Sequence, residues 1–340
     1  MVTTFVCLPG ERVHPPWSGL LEYAYAVGWL AIGGCTWVGD RVGQQHIVGV
    51  HGIKQGRTSR RELIKDWDKA LNRGITALHG QGAVGTNPLL TPTLEIPHWS
   101  SLLARGADRL GPSDLFPNDS TALTADEEAF IVEALDDLLT PQERALAAEL
   151  DPTTLGPPKL WPASVTRRAM VYDRRTPDSV VGKLVTGLRE VRFYLKHPNL
   201  ASQVHDHVLK AFSDDTATVI ISHSLGSVIA YDLIRQKKIA APGTVGTAVH
   251  TFVTCGSPLG IPAVRRAMNI PEPELLAMPA HIKWLNVYDP DDVVTGAAGL
   301  ALGARNVTDV EVDNGNIDPH AAQAYLRTLP VARAATRSWS

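Results

Sequence analysis

Cysteine is scarce in this chain: Cys7, Cys35 and Cys255 are the only three in 340 residues, and they lie far apart. Such a set builds neither a disulfide framework nor a CxxC metal site, so a reducing, cytoplasmic setting is expected. Charge of one sign is missing too. Lys and Arg number 32 against 35 Asp and Glu, a net charge of −3, with no block of like charges. That balance argues against nucleic acid or an anionic membrane as partner.

Long apolar runs are also absent. The most apolar stretch, Leu20 to Val38, is interrupted by Glu22, Gly28, Gly33 and Gly34. Its run from Tyr23 to Ile32 is shorter than the roughly 20 residues a membrane span needs. Only Arg12 precedes the stretch, offset by Glu11, so it does not read as a signal peptide, and membrane attachment is not expected. Internal repeats and low-complexity tracts are lacking as well.

What is present is a large stock of apolar residues, 44% of the chain against 20% charged, enough for a substantial core. Length alone allows two domains or one large α/β domain. Strand-like and helix-like segments alternate, which points to an α/β protein with a mostly parallel central sheet flanked by helices. Strands are expected at His46–Val50, Leu94–Trp99, Thr218–Ser222, Thr251–Cys255, His281–Tyr288 and Val307–Val312. Ser59 with Glu62, Thr124 with Glu127 and Thr140 with Glu143 form capping boxes that open helices. Gly74 marks the end of the first of these. Long helices are expected over Asp178–Lys196 and Asn199–Phe212, and a last one from near His320 through Tyr325 and Leu326.

The sharpest local pattern is Ser222-His223-Ser224-Leu225-Gly226, between an apolar strand and an apolar-faced helix. An abrupt strand-to-helix turn lifts the middle side chain clear of the backbone. It needs small residues two before and two after. Ser222 stands where the GxSxG pattern has its first glycine, and is small enough to fit. Ser224 is therefore the candidate nucleophile, and the Leu225 amide a candidate oxyanion donor at the helix N-terminus.

A nucleophilic serine needs a base, and the base an orienting acid. Of the histidines after Ser224, His250 and His281 lie at strand starts, on the wrong sheet edge. His320 follows the last strand at the correct edge and is the candidate base. The strand ending at Tyr288 runs into Asp289-Pro290-Asp291-Asp292. Three carboxylates so close cannot all be buried and ionised, so one should meet the histidine while another caps a turn. Asp292 is the first choice as acid, with Asp289 and Asp291 as alternatives. His51-Gly52-Ile53, after the first strand, offers the Ile53 amide as second oxyanion donor. His51 precedes the nucleophile and reads as structural, holding that loop. His51, His223 and Trp99 are the candidates for lining a substrate pocket.

"VGVHGI", "ISHSLGSVIAYDLI", "VTCGSPLGI", "WLNVYDPDDVV" and "DPHAAQAYL" occur in that order. Together they resemble the α/β-hydrolase superfamily, and within it the bacterial lipase and serine-esterase-like branch with an HGI loop and an HSLG elbow. The resemblance implies an eight-strand-like sheet core, a triad of Ser224, Asp292 and His320, oxyanion amides at Ile53 and Leu225, and hydrolysis of a carboxylic ester. The catalytic domain would run from 46 to 330, with an inserted helical lid or cap over about 100–175. Residues 1–45 form an extension of unread role, and 331–340 a tail. No cofactor or metal is called for. The expected substrate is a small ester or thioester. Apolar helix faces at Phe130, Ile131, Leu135 and Leu146 point to a lipophilic acyl group. A thioesterase, acyltransferase or cyclase acting on a carrier-bound acyl chain would use the same triad. A catalytically silent binding module on this fold is the reading from another class.

Three weaker signals carry no function. Gly80 to Gly85 matches GxGxxG, but Asn87-Pro88 follows where a dinucleotide site needs a helix. His205 and His207 are two apart on a helix and diverge, so they do not chelate together. Cys255 sits in an apolar strand and reads as a small core residue.

Overall fold

The computed structural model describes residues 45–52, 58–80, 92–100, 102, 122–151, 161–174, 181–212 and 218–336. All of them belong to one compact unit, Gln44–Ser340. The stretch Leu20 to Val38, Ile53 and residues 81–85 of the GxGxxG match lie outside the described residues.

Among the described residues six strands form one parallel sheet: β1 (His46–Val50), β2 (Thr93–Glu95), β3 (Thr218–His223), β4 (Val249–Cys255), β5 (Lys283–Tyr288) and β6 (Val307–Glu311). Their order across the sheet is β2-β1-β3-β4-β5-β6. Ten helices accompany them among the described residues. They are α1 (Arg60–Gly80), α2 (Ala125–Leu138), α3 (Pro141–Glu149), α4 (Ala163–Asp173), α5 (Val181–Lys196), α6 (Pro198–Leu209), α7 (Leu225–Arg235), α8 (Pro262–Ala267), α9 (Ala322–Leu326) and α10 (Leu329–Ala335). Parallel neighbours require crossovers, and the helices supply them on both faces. The α/β architecture read from the alternation is the one observed.

The strand pleat explains the two-sided core. Val48, Val50, Ile220, Phe252 and Trp284 point to one face and join residues of α2, α4, α5, α6, α7 and α8 in the larger apolar cluster. Ile47, Val219, Ile221, Val253, Leu285 and Val287 point to the other, against Leu63, Trp67 and Leu71 of α1, Tyr325 and Leu326 of α9 and Val331 of α10. A strand buried on both faces reads as a continuous apolar run, as "TVIIS" does.

All three capping boxes form. Ser59 accepts from the Glu62 amide at 3.2 Å while Glu62 accepts from the Ser59 amide at 3.0 Å. Thr124 with Glu127 and Thr140 with Glu143 repeat the arrangement at 3.2 and 2.8 Å and at 3.3 and 2.8 Å. Each cap is worth about 1 kcal/mol.

Three features differ from the sequence reading. Gly74 does not end α1, which runs on to Gly80. A side chain at Gly74 would come within 2.9 Å of the Arg327 carbonyl, so this glycine permits close packing of the turn after α9. The second strand is only Thr93–Glu95, and Trp99 lies in the turn beyond it. The C-terminal segment does not become a free tail at 331: α10 continues to Ala335, with Val331, Ala332, Ala334 and Ala335 buried.

Strand order places the functional edge. The chain steps from β1 outward to β2, then returns past β1 to β3 and continues the other way. The carboxyl ends of β1 and β3 are thus a topological switch point, where open parallel sheets bind their ligands. Those two ends carry His51 and Ser224. No helix among the described residues is long and apolar enough to cross a membrane.

Candidate active site

Ser224 stands between β3 and α7 with φ 54° and ψ −130°. This is a left-handed backbone that an ordinary side chain avoids, at about 1–3 kcal/mol. Neighbouring contacts hold the bend. The Ser224 amide donates to the Cys255 carbonyl at 3.1 Å, and the Ser227 hydroxyl donates to the Ser224 carbonyl at 2.6 Å. Gly226 lies where α7 crosses β1; a Cβ there would be 2.7 Å from the His51 carbonyl. Ser222 is fully buried, and its hydroxyl donates to the Val253 carbonyl at 2.9 Å. A serine thereby serves at the position where the elbow pattern has glycine.

The carboxyl edge brings three separated residues together. His320 Nε2 lies 3.0 Å from Ser224 Oγ, and His320 Nδ1 lies 2.8 Å from Asp292 Oδ2. Ser224 and Asp292 are 8% and 1% exposed. Burial pushes the Asp292 carboxyl up, but His320 and the hydrogen bonds from His320, Tyr325 and the Val294 amide outweigh it, so its pKa lies below the ordinary value. The carboxylate therefore stays ionised beside the imidazole, with Nδ1–H donating to it and Nε2 open to the serine proton.

The other two aspartates take different positions. Asp289 Oδ1 accepts from the Asp291 amide at 2.8 Å, and its Oδ2 from the Asn314 amide at 2.6 Å. Asn314 in turn donates through Nδ2 to the Pro319 carbonyl at 2.8 Å. Asp289 thus anchors the loop that delivers His320, and Asp291 is exposed. Asp292 also caps a turn: its Oδ1 accepts from the Val294 amide at 3.0 Å. A second carboxylate, Asp289, thus caps a turn as expected, and Asp292 caps the next one while also meeting the histidine.

His223, next to the nucleophile, donates from Nε2 to the His320 carbonyl at 2.7 Å. A carbonyl only accepts, so the proton is on Nε2. Burial and then neighbouring His320 push His223 down to about 3. His51 is buried, donates from Nδ1 to the Gly52 carbonyl and stacks on Trp99, ring centroids 5.0 Å apart. Trp99 Nε1 donates to the His51 carbonyl at 3.2 Å. Burial pushes His51 down to about 4. A Cβ at Gly52 would stand 3.1 Å from Ser224 Cβ, so the end of β1 passes directly beside the serine. The Leu225 amide is the first of α7, where an N–H has no partner within the helix.

Two residues with no local signal complete the surroundings. Gly256, with φ +56°, follows β4; a Cβ there would lie 2.9 Å from Asp292 Oδ2 and 3.2 Å from His320 Nδ1. Tyr325 is fully buried and donates to Asp292 Oδ2 at 2.7 Å. Only the fold reveals either role, because the register of β4 with β5 and the return of α9 under the site create both contacts.

Elsewhere, His205 points into the protein and not to a solvated face of α6. It is buried, 2.6 Å from the Tyr194 hydroxyl, and Lys238 donates to its Nδ1 at 2.8 Å. Among the described residues no cluster of His, Cys, Asp or Glu could hold a metal ion. Cys255 is buried in β4, which pushes its thiol pKa up. Phe130, Ile131 and Leu135 are buried in the larger cluster, while Leu146 is 37% exposed. The α2 face packs on the protein itself, which removes its support for a lipophilic acyl group.

The buried histidines set a pH limit on stability. Burial, then Lys238, pushes His205 down to about 4, beside His51 at about 4 and His223 at about 3. Unfolded histidine takes up its proton near pH 6.5, so the unfolded chain binds protons that the folded one refuses. The stability is fully present above that pH and is lost as the pH falls toward 4. Each neutral histidine contributes a slope of up to about 1.4 kcal/mol per pH unit. Urea unfolding at pH 7.5, 6 and 5 should show a steadily falling midpoint, and His223→Gln should flatten the fall. A midpoint constant over that range would contradict the burial of neutral imidazoles.

Compared with known protein families, curated proteins and solved structures, the chain matches none. Its class is therefore defined by its own geometry: a parallel α/β protein whose carboxyl sheet edge brings together a hydrogen-bonded serine, histidine and aspartate, the serine at the switch point.

Proposed function

We propose that the protein is a serine hydrolase of the α/β-hydrolase type that cleaves carboxylic esters through an acyl-enzyme. One observation carries the reading: the continuous chain Ser224 Oγ, His320 and Asp292, with the serine on a left-handed elbow. Strain of this kind persists only where surrounding structure enforces it, and it gathers at reactive centres.

In the proposed reaction His320 Nε2 takes the Ser224 proton as Oγ attacks the acyl carbonyl. The carbonyl π pair moves to oxygen, and the Leu225 amide, with the Ile53 amide as second candidate donor, hydrogen-bonds that oxyanion. Collapse expels the alcohol, which takes the proton from His320. Water then attacks the acyl-enzyme by the same steps in reverse roles, releasing the acid. Asp292 holds Nδ1–H throughout and stabilises the imidazolium.

A series of p-nitrophenyl esters of increasing acyl length tests the reaction and reads acyl size directly. Turnover with a burst of p-nitrophenol equal to the enzyme concentration is the expected result where deacylation limits the rate. Negligible turnover across the series would contradict ester hydrolysis.

The reading also assigns a cost to Gly256. Gly256→Ala would add a methyl within 2.9 Å of Asp292 Oδ2, at a φ of +56° that alanine resists. Displacing the acid by about 1 Å should lower kcat by about 100-fold. The backbone strain should cost about 1–3 kcal/mol of stability. Ester kinetics and a urea melt measure both; unchanged kcat would show that this contact does not align the acid.

A further inference from the structure

We infer that Tyr325 is a positioning residue that sets the proton affinity of His320 through Asp292. The inference rests on the hydrolase reading for its kinetic consequence, while its titration test does not.

Asp292 is buried, and its Oδ2 accepts two protons at once, from His320 Nδ1 at 2.8 Å and from the Tyr325 hydroxyl at 2.7 Å. A hydrogen bond to an ionised carboxylate is short and strong, and it draws negative charge away from the oxygen. Because both donors share one oxygen, what Tyr325 withdraws is not offered to the imidazole. The phenol is itself held: the Asp289 amide donates to the Tyr325 oxygen at 3.2 Å. That bond leaves the hydroxyl proton for Asp292. On the ring's other side, a Cβ at Gly256 would lie 3.0 Å from Tyr325 Cε2. The β4 turn, the β5 loop and α9 thus fix the hydroxyl relative to the acid.

The ionisable groups around this pair come from each packed element. They are His223 of β3, ring centroid 4.8 Å from that of His320, Cys255 at the end of β4, and Asp289 after β5. Burial disfavours the charged forms of His223 and Cys255. Asp289 is engaged by the Asp291 and Asn314 amides. Tyr325, unlike these three, donates to Asp292, on the oxygen that His320 also uses.

The test is Tyr325→Phe, with a second variant carrying 3,5-difluorotyrosine at position 325. Phenylalanine keeps the ring and removes the donor. Asp292 then pairs more strongly with the imidazolium, and the His320 pKa rises. Fluorination strengthens the donor, and the pKa falls. Titration of 13C-labelled His320 by NMR, assigned with His320→Asn, reads the value without substrate. The expected shifts are about half a unit or more, upward for phenylalanine and downward for difluorotyrosine, the sign a charge-assisted bond requires. The acid limb of kcat/KM should move the same way, with kcat of Tyr325→Phe lowered about tenfold and KM nearly unchanged. If both variants titrate within 0.2 unit of the parent, Tyr325 only packs, and the inference is overturned. Shifts of opposite sign in a protein that turns over no ester would uphold it and refute the hydrolase reading instead.

Discussion

Ser224→Ala is expected to lower kcat for ester hydrolysis by about a million-fold, and His320→Ala by a comparable factor. The double variant should be no slower than either single one. The reason lies in the geometry: His320 Nε2, 3.0 Å from Ser224 Oγ, has no proton to accept once the hydroxyl is gone, and the hydroxyl has no base once the imidazole is gone. Groups that act as one unit lose their whole effect together, so the losses do not add. Residual catalysis of about a thousandfold over water should survive in all three, from the oxyanion donors and substrate binding. Steady-state kinetics of the four proteins on one ester measures this. Additive losses would mean that serine and histidine act separately.

The aspartate cluster yields the second large effect, and it separates three chemically alike residues. Asp292→Asn should lower kcat by about ten-thousandfold, because an amide beside Nδ1 favours the wrong imidazole tautomer and cannot stabilise the imidazolium. Asp289→Asn should instead act on stability. Both Asp289 oxygens accept amide protons, from Asp291 and Asn314, and asparagine offers a single acceptor oxygen. One buried N–H would lose its partner, at about 1–3 kcal/mol, and the His320 loop would loosen. Asp291, exposed, should tolerate asparagine within about 0.5 kcal/mol. Kinetics and urea unfolding of the three variants distinguish these outcomes. A larger kinetic loss at Asp289 than at Asp292 would reassign the acid.

Much of this arrangement is legible in the chain because it is local. A capping box needs only residues three apart, and all three boxes form as written. The elbow is a five-residue pattern between a strand and a helix, and Ser224 stands at the bend it implies. Sheet direction then sorts the histidines: those opening strands face away from the serine edge, and His320, which follows β6, lies 3.0 Å from it.

The remainder depends on contacts between distant segments. Gly74 resembles a helix end, yet it is the point where α1 meets the Arg327 carbonyl, 253 residues away (327 − 74), and no local pattern records that. Gly256 and Tyr325 look like an ordinary turn glycine and a helix aromatic. They acquire their contacts with Asp292 only when β4, β5 and α9 are in register. The apolar stripe of α2 could have faced a ligand or the core; its periodicity is the same in both cases, and packing against α4, α5 and α8 decides it. Ser222 shows the reverse. It departs from the elbow pattern in sequence, and the structure gives its hydroxyl a partner on β4.

The most direct measurement is covalent. A fluorophosphonate should be attacked by an activated serine and by no resting hydroxyl. Intact mass and peptide mapping of the treated protein should show one adduct, on the peptide that carries Ser224, and none in Ser224→Ala. An unlabelled parent protein, or an alanine variant labelled to the same extent, would contradict the assignment of Ser224 as nucleophile.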